Sequence, residues 1–364
     1  MDGHLAVAVH AHGHQCDIGS MHGTRSSNPG LIVCGFTHGL TTKGVLSRVL
    51  WSPTWRGSHA PMEMRKIGSL DVSVVGLGTN NFGFFMQAGA VPPVVDAAIE
   101  EGINFFDTAD SYLDSEVRLG QALGRRRDHV VIATKFGSPV GEDGTGGAHP
   151  DYVRHAVERS LRALGTDRID LYQLHRPDPE THIADTLGVL DELVAEGKVR
   201  EIGCSNFSIA QLREAEAAVG PDDARFVSLQ NHFNLLERGD ETEVLPECVA
   251  TGVAYLPFFP LASGLLSGKY VRGQAPPDGT RLAIWGDASL TDENFDVLDA
   301  LTAWAEARKH TLLDLAFAWL AATPGVASVI AGATNAHQIR LNARAGSWVL
   351  TPNERAEVSQ LVAR

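Results

Sequence analysis

Residues 130–203 alternate short apolar runs with longer amphipathic stretches, and this alternation decides the fold. In chain order they read VVIAT (130–134), DYVRHAVERSLRAL (151–164), IDLYQL (169–174), IADTLGVLDELVAE (183–196) and VREIG (199–203). The apolar runs predict strands, and the longer stretches carry the 3.6-residue periodicity of helices. Strands that alternate with helices form parallel sheets, so this segment predicts consecutive βα units.

The same pattern continues on both sides of this segment. It predicts further strands at 72–77, 102–106, 226–231, 253–257 and 327–330, and further helices at 92–101, 209–218 and 295–309. Eight strands that are each almost continuously apolar favour an α/β protein with a (β/α)8 TIM barrel. The alternative is a Rossmann fold. It is disfavoured because Gly76-Leu-Gly78 is followed by Thr-Asn-Asn, so the dinucleotide fingerprint fails at its third glycine.

Composition narrows the class of protein. The chain has 364 residues, of which 44% are hydrophobic, and a formal net charge of −14. An acidic surface repels nucleic acid and anionic lipid, so we expect neither as a partner. The chain has 4 cysteines, and none of them forms a Cys-x-x-Cys pair, which indicates a reducing compartment. The sequence lacks an apolar run of the roughly 20 residues that span a bilayer. We therefore expect a cytoplasmic protein.

The composition changes near Met62. Residues 1–61 are rich in Gly, His, Ser and Thr and are predicted to be an extension, whereas residues 62–364 are predicted to form the barrel. The extension carries metal-ligating side chains at His4, His10, His12, His14, Cys16 and His22. They suggest a metal-binding tail. The preferred interpretation is a disordered segment, or a stretch that precedes a native start at Met62 or Met64.

Polar side chains follow three consecutive predicted strands. They are Asp107, Tyr112, Lys135 and His175. In a barrel the carboxyl ends of the strands meet on one face, where catalysis occurs. Hydride transfer to a carbonyl needs an acid at the oxygen. A buried lysine can lower the pKa of a tyrosine, a carboxylate can balance the lysine, and a histidine can orient the carbonyl.

Each of these side chains alone has an ordinary structural interpretation. Asp107 could be a helix N-cap, Tyr112 a surface aromatic, Lys135 half of an ion pair and His175 a core histidine. Their joint occurrence at successive strand ends favours catalysis.

Several motifs resemble one enzyme family. GINFFDTADSY (102–112), IATKFG (132–137), DLYQLH (170–175) and IGCSNF (202–207) resemble, in order, signatures of the aldo-keto reductases, and especially of bacterial NADP-dependent members. The resemblance runs from about Met64 to the C-terminus. It implies a β-hairpin that begins near Arg65 before the barrel, and it implies that Asp107, Tyr112, Lys135 and His175 are the catalytic residues.

The resemblance also implies a nicotinamide cofactor. Ser205, Asn206 and Gln230 match side chains that bind the carboxamide, and Phe258 matches the aromatic that stacks on the nicotinamide ring. The remaining implied cofactor-binding positions are Leu261, Lys269, Gly332, Thr334, Gln338 and Asn342, with Arg340 as a further candidate for a phosphate. Gly332 and Gln338 stand where the best-known branch has lysine and arginine. We expect NADPH, with NADH as the alternative, and no metal.

The substrate expected from the resemblance is a small carbonyl or alcohol: an aldehyde, a ketone or a sugar alcohol. A partly apolar substrate mouth is predicted from Phe82, Phe84, Phe85 and Trp285, and ordinary loop packing is the alternative for each of them. One rival is a cofactor-binding regulatory barrel similar to potassium-channel β subunits. The other is a metal-dependent hydrolase, which is weakly supported because only His175 and His232 lie near strand ends. The sequence leaves the oligomeric state open.

Overall fold

The structure is a computed structural model that describes residues 61–140, 145–286 and 288–363. Residues 1–60 of the predicted extension lie outside these ranges. The predicted histidine cluster and the amino-terminal side of the boundary predicted near Met62 therefore lie outside the described residues. Within the described residues, eight parallel strands form one sheet in the order β10-β3-β4-β5-β6-β7-β8-β9. They are β3 (Val75–Gly78), β4 (Phe105–Asp107), β5 (Val131–Phe136), β6 (Ile169–Leu174), β7 (Val199–Ser205), β8 (Phe226–His232), β9 (Ala254–Phe258) and β10 (Val329–Gly332).

The sheet closes on itself between β9 and β10. Tyr255 and Val326 form a parallel bridge, and the Tyr255 N–H donates to the Gly325 carbonyl at 2.8 Å. The Ala327 N–H in turn donates to the Tyr255 carbonyl at 3.0 Å. The predicted (β/α)8 barrel is confirmed.

Helices surround the barrel. They are α1 (Asn80–Phe84), α2 (Val91–Glu100), α3 (Ser115–Leu123), α4 (Pro150–Leu164), α5 (Ile183–Ala195), α6 (Ile209–Ala217), α7 (Val244–Thr251), α8 (Arg281–Trp285), α9 (Asp292–Glu306), α10 (Leu312–Ala321), α11 (Ala336–Ala345) and α12 (Pro352–Leu361), with 3-10 turns at Ala88–Ala90, Gly124–His129 and Ala262–Ser267. Among the described residues none of these helices is long and apolar enough to cross a membrane.

Local signals in the sequence end and start several of these helices. Gly165 and Gly252 cap α4 and α7 in the left-handed conformation that glycine adopts without strain. The Thr351 hydroxyl accepts from the Glu354 N–H in a capping box that starts α12.

A β-hairpin precedes the barrel, as expected. Its strands β1 (Met64–Ile67) and β2 (Leu70–Ser73) are antiparallel. Ile67, Leu70 and Val72 are fully buried in one cluster with the inward residues of the barrel. The hairpin therefore covers the amino-terminal end of the barrel interior.

The prediction of the first barrel strand is wrong in its extent, because part of the predicted run belongs to the hairpin. The run 72–77 was predicted as one barrel strand, but the chain bends at Val74, so that Val72 belongs to β2 and Val75 begins β3. The residues on both sides of the bend are buried. Hairpin strand β2 and barrel strand β3 are equally apolar, and no glycine or proline separates them. The sequence therefore contains no pattern that marks the break between the two strands.

Candidate active site

Alternation along the strands brings the candidate residues together. Successive side chains of a strand point to opposite faces. In β4, Phe105 points into the barrel, so Asp107 does as well. In β5, Ala133 points inward and Lys135 follows on the same face. Lys135 lies in register with Gln173 of β6. The barrel interior is thus polar at the carboxyl-terminal ends of the strands and apolar below that level.

Asp107 and Lys135 form a buried ion pair. The Lys135 Nζ donates to Asp107 Oδ2 at 2.5 Å and to the Thr108 carbonyl at 2.9 Å. The lysine side chain is 0% exposed and the aspartate side chain 5% exposed. Burial lowers the pKa of Lys135, but the Asp107 carboxylate and the Tyr112 phenol outweigh it, so the net shift is upward. Lys135 therefore stays charged at neutral pH.

Two amide groups hold the other carboxylate oxygen of Asp107. Gln230 Nε2 donates to Asp107 Oδ1 at 2.9 Å, and Gln173 Nε2 donates to the same oxygen at 3.3 Å. Gln230 was predicted to bind the cofactor, and Gln173 was not among the predicted site residues. A signal was present, because Gln173 is a lone amide two residues before His175, on the same face of a largely apolar strand.

Tyr112 stands over this ion pair. Lys135 Nζ lies 5.3 Å from the centre of the Tyr112 ring, and the His175 ring lies 5.7 Å away with its edge toward the tyrosine. Burial raises the pKa of Tyr112, and the nearby Lys135 ammonium opposes that shift without reversing it. The expectation that the lysine would lower the pKa of the tyrosine below its ordinary value is therefore wrong for the net shift. In this state Tyr112 is a protonated phenol.

His175 is neutral. Burial lowers its pKa to about 3, and the positive charges of Lys135 and Arg176 add to the shift. Its Nδ1 lies 3.4 Å from the Ser111 hydroxyl. When Nδ1 accepts from that hydroxyl, Nε2 carries the proton and is a hydrogen-bond donor.

Of the predicted carboxamide-binding residues, Ser205 ends β7, Asn206 follows it and Gln230 lies on β8. Ser205 Oγ donates to the Gln230 carbonyl at 2.7 Å. Asn206 Nδ2 donates to the His175 carbonyl at 2.9 Å. Asn206 has a φ of +60°, which asparagine tolerates better than most residues, and its side chain is exposed beside the barrel mouth.

Phe258 ends β9 and carries a half-buried ring. It is stacked on His232, with ring centres 5.3 Å apart and an interplanar angle of 10°. The chain then turns at Leu261, whose carbonyl accepts from Gly264 and Leu266. These contacts start the long loop of residues 259–290.

Lys269 extends along that loop. It is exposed, and its Nζ lies 5.1 Å from the centre of the Tyr270 ring. A Cβ at Gly264 would lie only 2.5 Å from this Nζ. The ammonium therefore lies directly over the bare backbone of Gly264.

The last strand-loop-helix segment brings its predicted residues to one corner of the barrel end. Gln338 Oε1 accepts from the Thr334 N–H at 2.8 Å, and both side chains are exposed at the start of α11. Asn342 is buried one turn further along. Arg340 instead lies near Glu100 and Glu101 of α2, at 3.6 and 3.7 Å. Arg340 thus pairs with the outer helix layer.

Arg281 reaches the same corner from α8, although it was not among the residues predicted from the sequence. Its Nη2 donates to the side-chain oxygens of Asn80 and Asn81, each at 2.8 Å. A Cβ at Gly332 would lie 2.9 Å from Asn81 Nδ2 and 3.3 Å from Arg281 Nη2. The guanidinium also lies 5.6 Å from the centre of the Phe259 ring. No local pattern marks this residue, because its position depends on the path of a long loop.

The aromatic residues predicted for the substrate mouth divide into two groups. Phe82 is 0% exposed and belongs to the core, so its prediction as a mouth residue is wrong. Phe84 is 48% exposed, and its ring centre lies 6.3 Å from that of Tyr112. Phe85 lies 6.3 Å from Phe84. The side chain of Trp285 lies outside the described part of the structure.

Comparison with known proteins agrees with this geometry. The sequence profile described as the Aldo/keto reductase family matches residues 74–363. This chain belongs to the aldo/keto reductase family.

Individual aldo/keto reductase relatives cover nearly the whole barrel. A probable voltage-gated potassium channel subunit beta from Arabidopsis thaliana is 32% identical over 83% of this chain and 97% of its own length. A glycerol dehydrogenase from Gluconobacter oxydans superposes with a TM-score of 0.73 at 30% identity, covering 82% of this chain and 94% of that one. An aldo-keto reductase from Bacillus halodurans in its holo form gives a TM-score of 0.70 at 30% identity, covering 82% and 96%. This protein is therefore an oxidoreductase of the aldo/keto reductase type.

The chemistry of the donor set suits a nicotinamide dinucleotide. Phe258 offers an aromatic face, Asn206 an exposed amide, and Arg281 and Lys269 offer cations. Gly332 lacks the Cβ that would crowd this corner. In the ranges that the structure describes, no group of three or more His, Cys, Asp or Glu side chains is arranged to hold a metal ion.

Proposed function

We propose that this protein transfers a hydride between a nicotinamide cofactor and a small carbonyl or alcohol, with Tyr112 as the general acid and base. The observation that carries this proposal is the buried Lys135–Asp107 ion pair under Tyr112. Burying both ions costs desolvation energy, and ionisable groups perturbed in this way at a strand-end cleft mark candidate functional sites.

The proton at the substrate oxygen would come from Tyr112. The raised pKa of Tyr112 keeps the phenol protonated at neutral pH, which is the form that can donate during carbonyl reduction. As the proton leaves, negative charge grows on the phenol oxygen, and the fixed Lys135 cation stabilises it without rearrangement. Asp107 keeps Lys135 charged and oriented, and Gln173 and Gln230 in turn orient Asp107.

His175 would position the substrate. Because its pKa is about 3, it is neutral and can donate one hydrogen bond from Nε2 to a carbonyl oxygen. Burial is the main cause of this low pKa, and the Lys135 cation that serves Tyr112 adds to it because it would repel a protonated imidazole. Catalysis should therefore be insensitive to histidine titration near pH 6.5.

Four sets of residues would hold the cofactor, which supplies or accepts the hydride when it is bound. Ser205, Asn206 and Gln230 would bind the carboxamide, Gln230 through its amide oxygen because its Nε2 donates to Asp107. Phe258 would stack on the ring. The pyrophosphate would be bound by the loop of Leu261 and Lys269 together with Arg281, and the adenosine end by Gly332, Thr334, Gln338 and Asn342. NADPH is the proposed form and NADH the alternative.

A regulatory barrel is the second candidate function. The similarity to a channel β subunit across 97% of that protein favours it. Such a protein would bind cofactor tightly and turn over slowly.

We also propose that the protein works in the reducing cytoplasm, which suits the buried free thiols of Cys204 and Cys248.

The first test is fluorescence titration of the purified protein with NADPH and, separately, with NADH, followed by assay of Tyr112→Phe. We expect micromolar binding of at least one cofactor. We also expect kcat to fall by about 10²–10⁴ in the variant while cofactor affinity is kept, because the hydroxyl acts mainly in the transition state.

Tyr152→Phe is the control for loss of a tyrosine hydroxyl on α4, where the hydroxyl accepts a long hydrogen bond from Arg159 at 3.3 Å, and kcat should be unchanged in this variant. Near-full kcat in Tyr112→Phe would refute the assigned role. Binding with negligible turnover of every carbonyl would favour the regulatory barrel.

A further inference from the structure

The rim beside Tyr112 exposes apolar side chains. Phe84 is 48% exposed and Leu113 is 67% exposed. Phe84 presents its ring to the Tyr112 ring at 6.3 Å and an interplanar angle of 60°, and Leu113 follows Tyr112 directly in the chain. Single exposed apolar residues are normal on protein surfaces. Here they adjoin the proposed proton donor, and apolar patches at such positions mark ligand-binding surfaces.

The backbone holds Phe84 firmly in this place. A Cβ at Gly83 would lie 2.0 Å from the Tyr112 carbonyl oxygen and 3.2 Å from the Leu113 Cβ. Helix α1 therefore packs directly on the Tyr112 segment, and this approach requires glycine. Arg118 also ties the end of α1 by donating to the Met86 carbonyl at 2.5 Å. The position of Phe84 relative to Tyr112 is thus set by packing.

The backbone conformation of Leu113 is strained. Its φ of +54° lies in the left-handed region, which a leucine disfavours by about 1 kcal/mol or more. Asparagine or glycine would be the residue that this backbone prefers. Strain of this kind clusters at ligand sites, and here it holds an exposed leucine directly after Tyr112.

We infer that Phe84 and Leu113 form an apolar wall that determines substrate specificity, and that the preferred substrates are aromatic aldehydes or ketones. This inference rests on the proposed function, because it places the substrate carbonyl at Tyr112. An aromatic ring attached to that carbonyl would contact Phe84 and cover Leu113, which removes apolar surface from water. A small polyhydroxylated aldehyde would gain nothing from this wall.

The test compares benzaldehyde with glyceraldehyde, using NADPH as the reductant. Wild type should have the higher kcat/KM for benzaldehyde. Phe84→Ala and Leu113→Asn should each lower the benzaldehyde-to-glyceraldehyde ratio of kcat/KM by about tenfold, the effect of losing one aromatic or apolar contact. Leu113→Asn tolerates the left-handed backbone, so its Tm should not fall. Val249→Ala is the control, because Val249 is 51% exposed but contacts Gly325 near the opposite end of the barrel.

A second measurement tests binding to the apolar wall independently of the proposed hydride transfer. Calorimetric titration of the NADP⁺-saturated protein with benzyl alcohol should show weaker binding to Phe84→Ala than to wild type. Equal losses for both aldehydes, or unchanged benzyl alcohol affinity, would overturn the inference. If no carbonyl were reduced while benzyl alcohol still bound in a Phe84-dependent way, the wall would stand and the proposed reaction would be wrong.

Discussion

Asp110 is a buried carboxyl group three residues after Asp107, on the side away from the proposed substrate. Its Oδ2 accepts from Arg159 at 2.7 Å, while Oδ1 is buried without a hydrogen-bond partner. Burial raises the pKa of Asp110 to about 7, although the Arg159 guanidinium opposes the shift. Glu116 lies nearby, and burial also raises its pKa, against the hydrogen bond from Thr134. The active-site loop is thus backed by two carboxyl groups whose pKa values are raised by burial.

This gives a prediction about pH and stability. A carboxyl whose pKa is higher in the folded state than in the unfolded state binds its proton more tightly when folded. Its contribution is therefore most favourable below pH 4 and is lost as the pH rises toward about 7. Asp110→Asn should remove this dependence. The difference in unfolding free energy between wild type and variant should decline between pH 4 and pH 8, on the order of a few kcal/mol.

Urea unfolding of both proteins at several pH values measures this difference. His175 titrates in the opposite sense, because its pKa is lowered on folding, so the comparison must be made against Asp110→Asn and not from wild type alone. A difference that stays constant with pH would contradict the assigned state of Asp110.

At the scale of elements, close helix contacts hold the layer outside the barrel. A Cβ at Gly120 in α3 would lie 2.2 Å from the Leu164 carbonyl oxygen at the end of α4. Because the obstacle is backbone, it cannot swing aside as a side chain could. Gly188 in α5 has nothing within 4 Å of its Cβ position and is exposed. The two helical glycines therefore differ only in their surroundings.

The prediction is that alanine has opposite effects at these two glycines. Gly120→Ala should destabilise the fold by about 1–3 kcal/mol, because α3 must move away from α4. Gly188→Ala should stabilise it by about 0.5–1 kcal/mol through helix propensity. Thermal unfolding of the two variants against wild type measures both. If Gly120→Ala were neutral, the close α3–α4 contact would not exist in solution.

At the scale of the molecule, the barrel is completed by residues after position 61. The hairpin buries Ile67, Leu70 and Val72 at its amino-terminal end, and the Tyr255–Val326 bridge closes its wall. The sheet described for residues 61–363 thus needs no strand from the predicted extension.

We therefore predict that removal of residues 1–61 leaves Tm and carbonyl-reductase activity unchanged. The matched control removes residues 1–73, which also deletes the hairpin. That protein should lose several kcal/mol, since each buried Leu, Ile or Val side chain contributes about 1.5–3 kcal/mol. Loss of folding or activity in the shorter deletion would show that the extension belongs to the functional protein.

The barrel and much of the candidate site could be predicted from the amino-acid sequence. Barrel strands are buried on both faces, so they are almost continuously apolar and easy to recognise. Polar residues at their carboxyl ends, such as Asp107 and Lys135, then stand out. Alternation along each strand also determines that these two side chains point inward together.

The contacts between distant segments could not be predicted from the sequence and became visible in the folded chain. Arg281 meets Asn80 and Asn81 because a long loop folds back over the barrel end, and loop paths depend on many weak contacts without a periodic pattern. The net pKa of Tyr112 depends on how deeply the phenol is buried against the opposing Lys135 charge, and burial follows from the complete fold. The break at Val74 could not be predicted for a related reason. The strands on both sides of it are buried, so both are apolar, and no change from apolar to polar residues marks where one ends and the next begins.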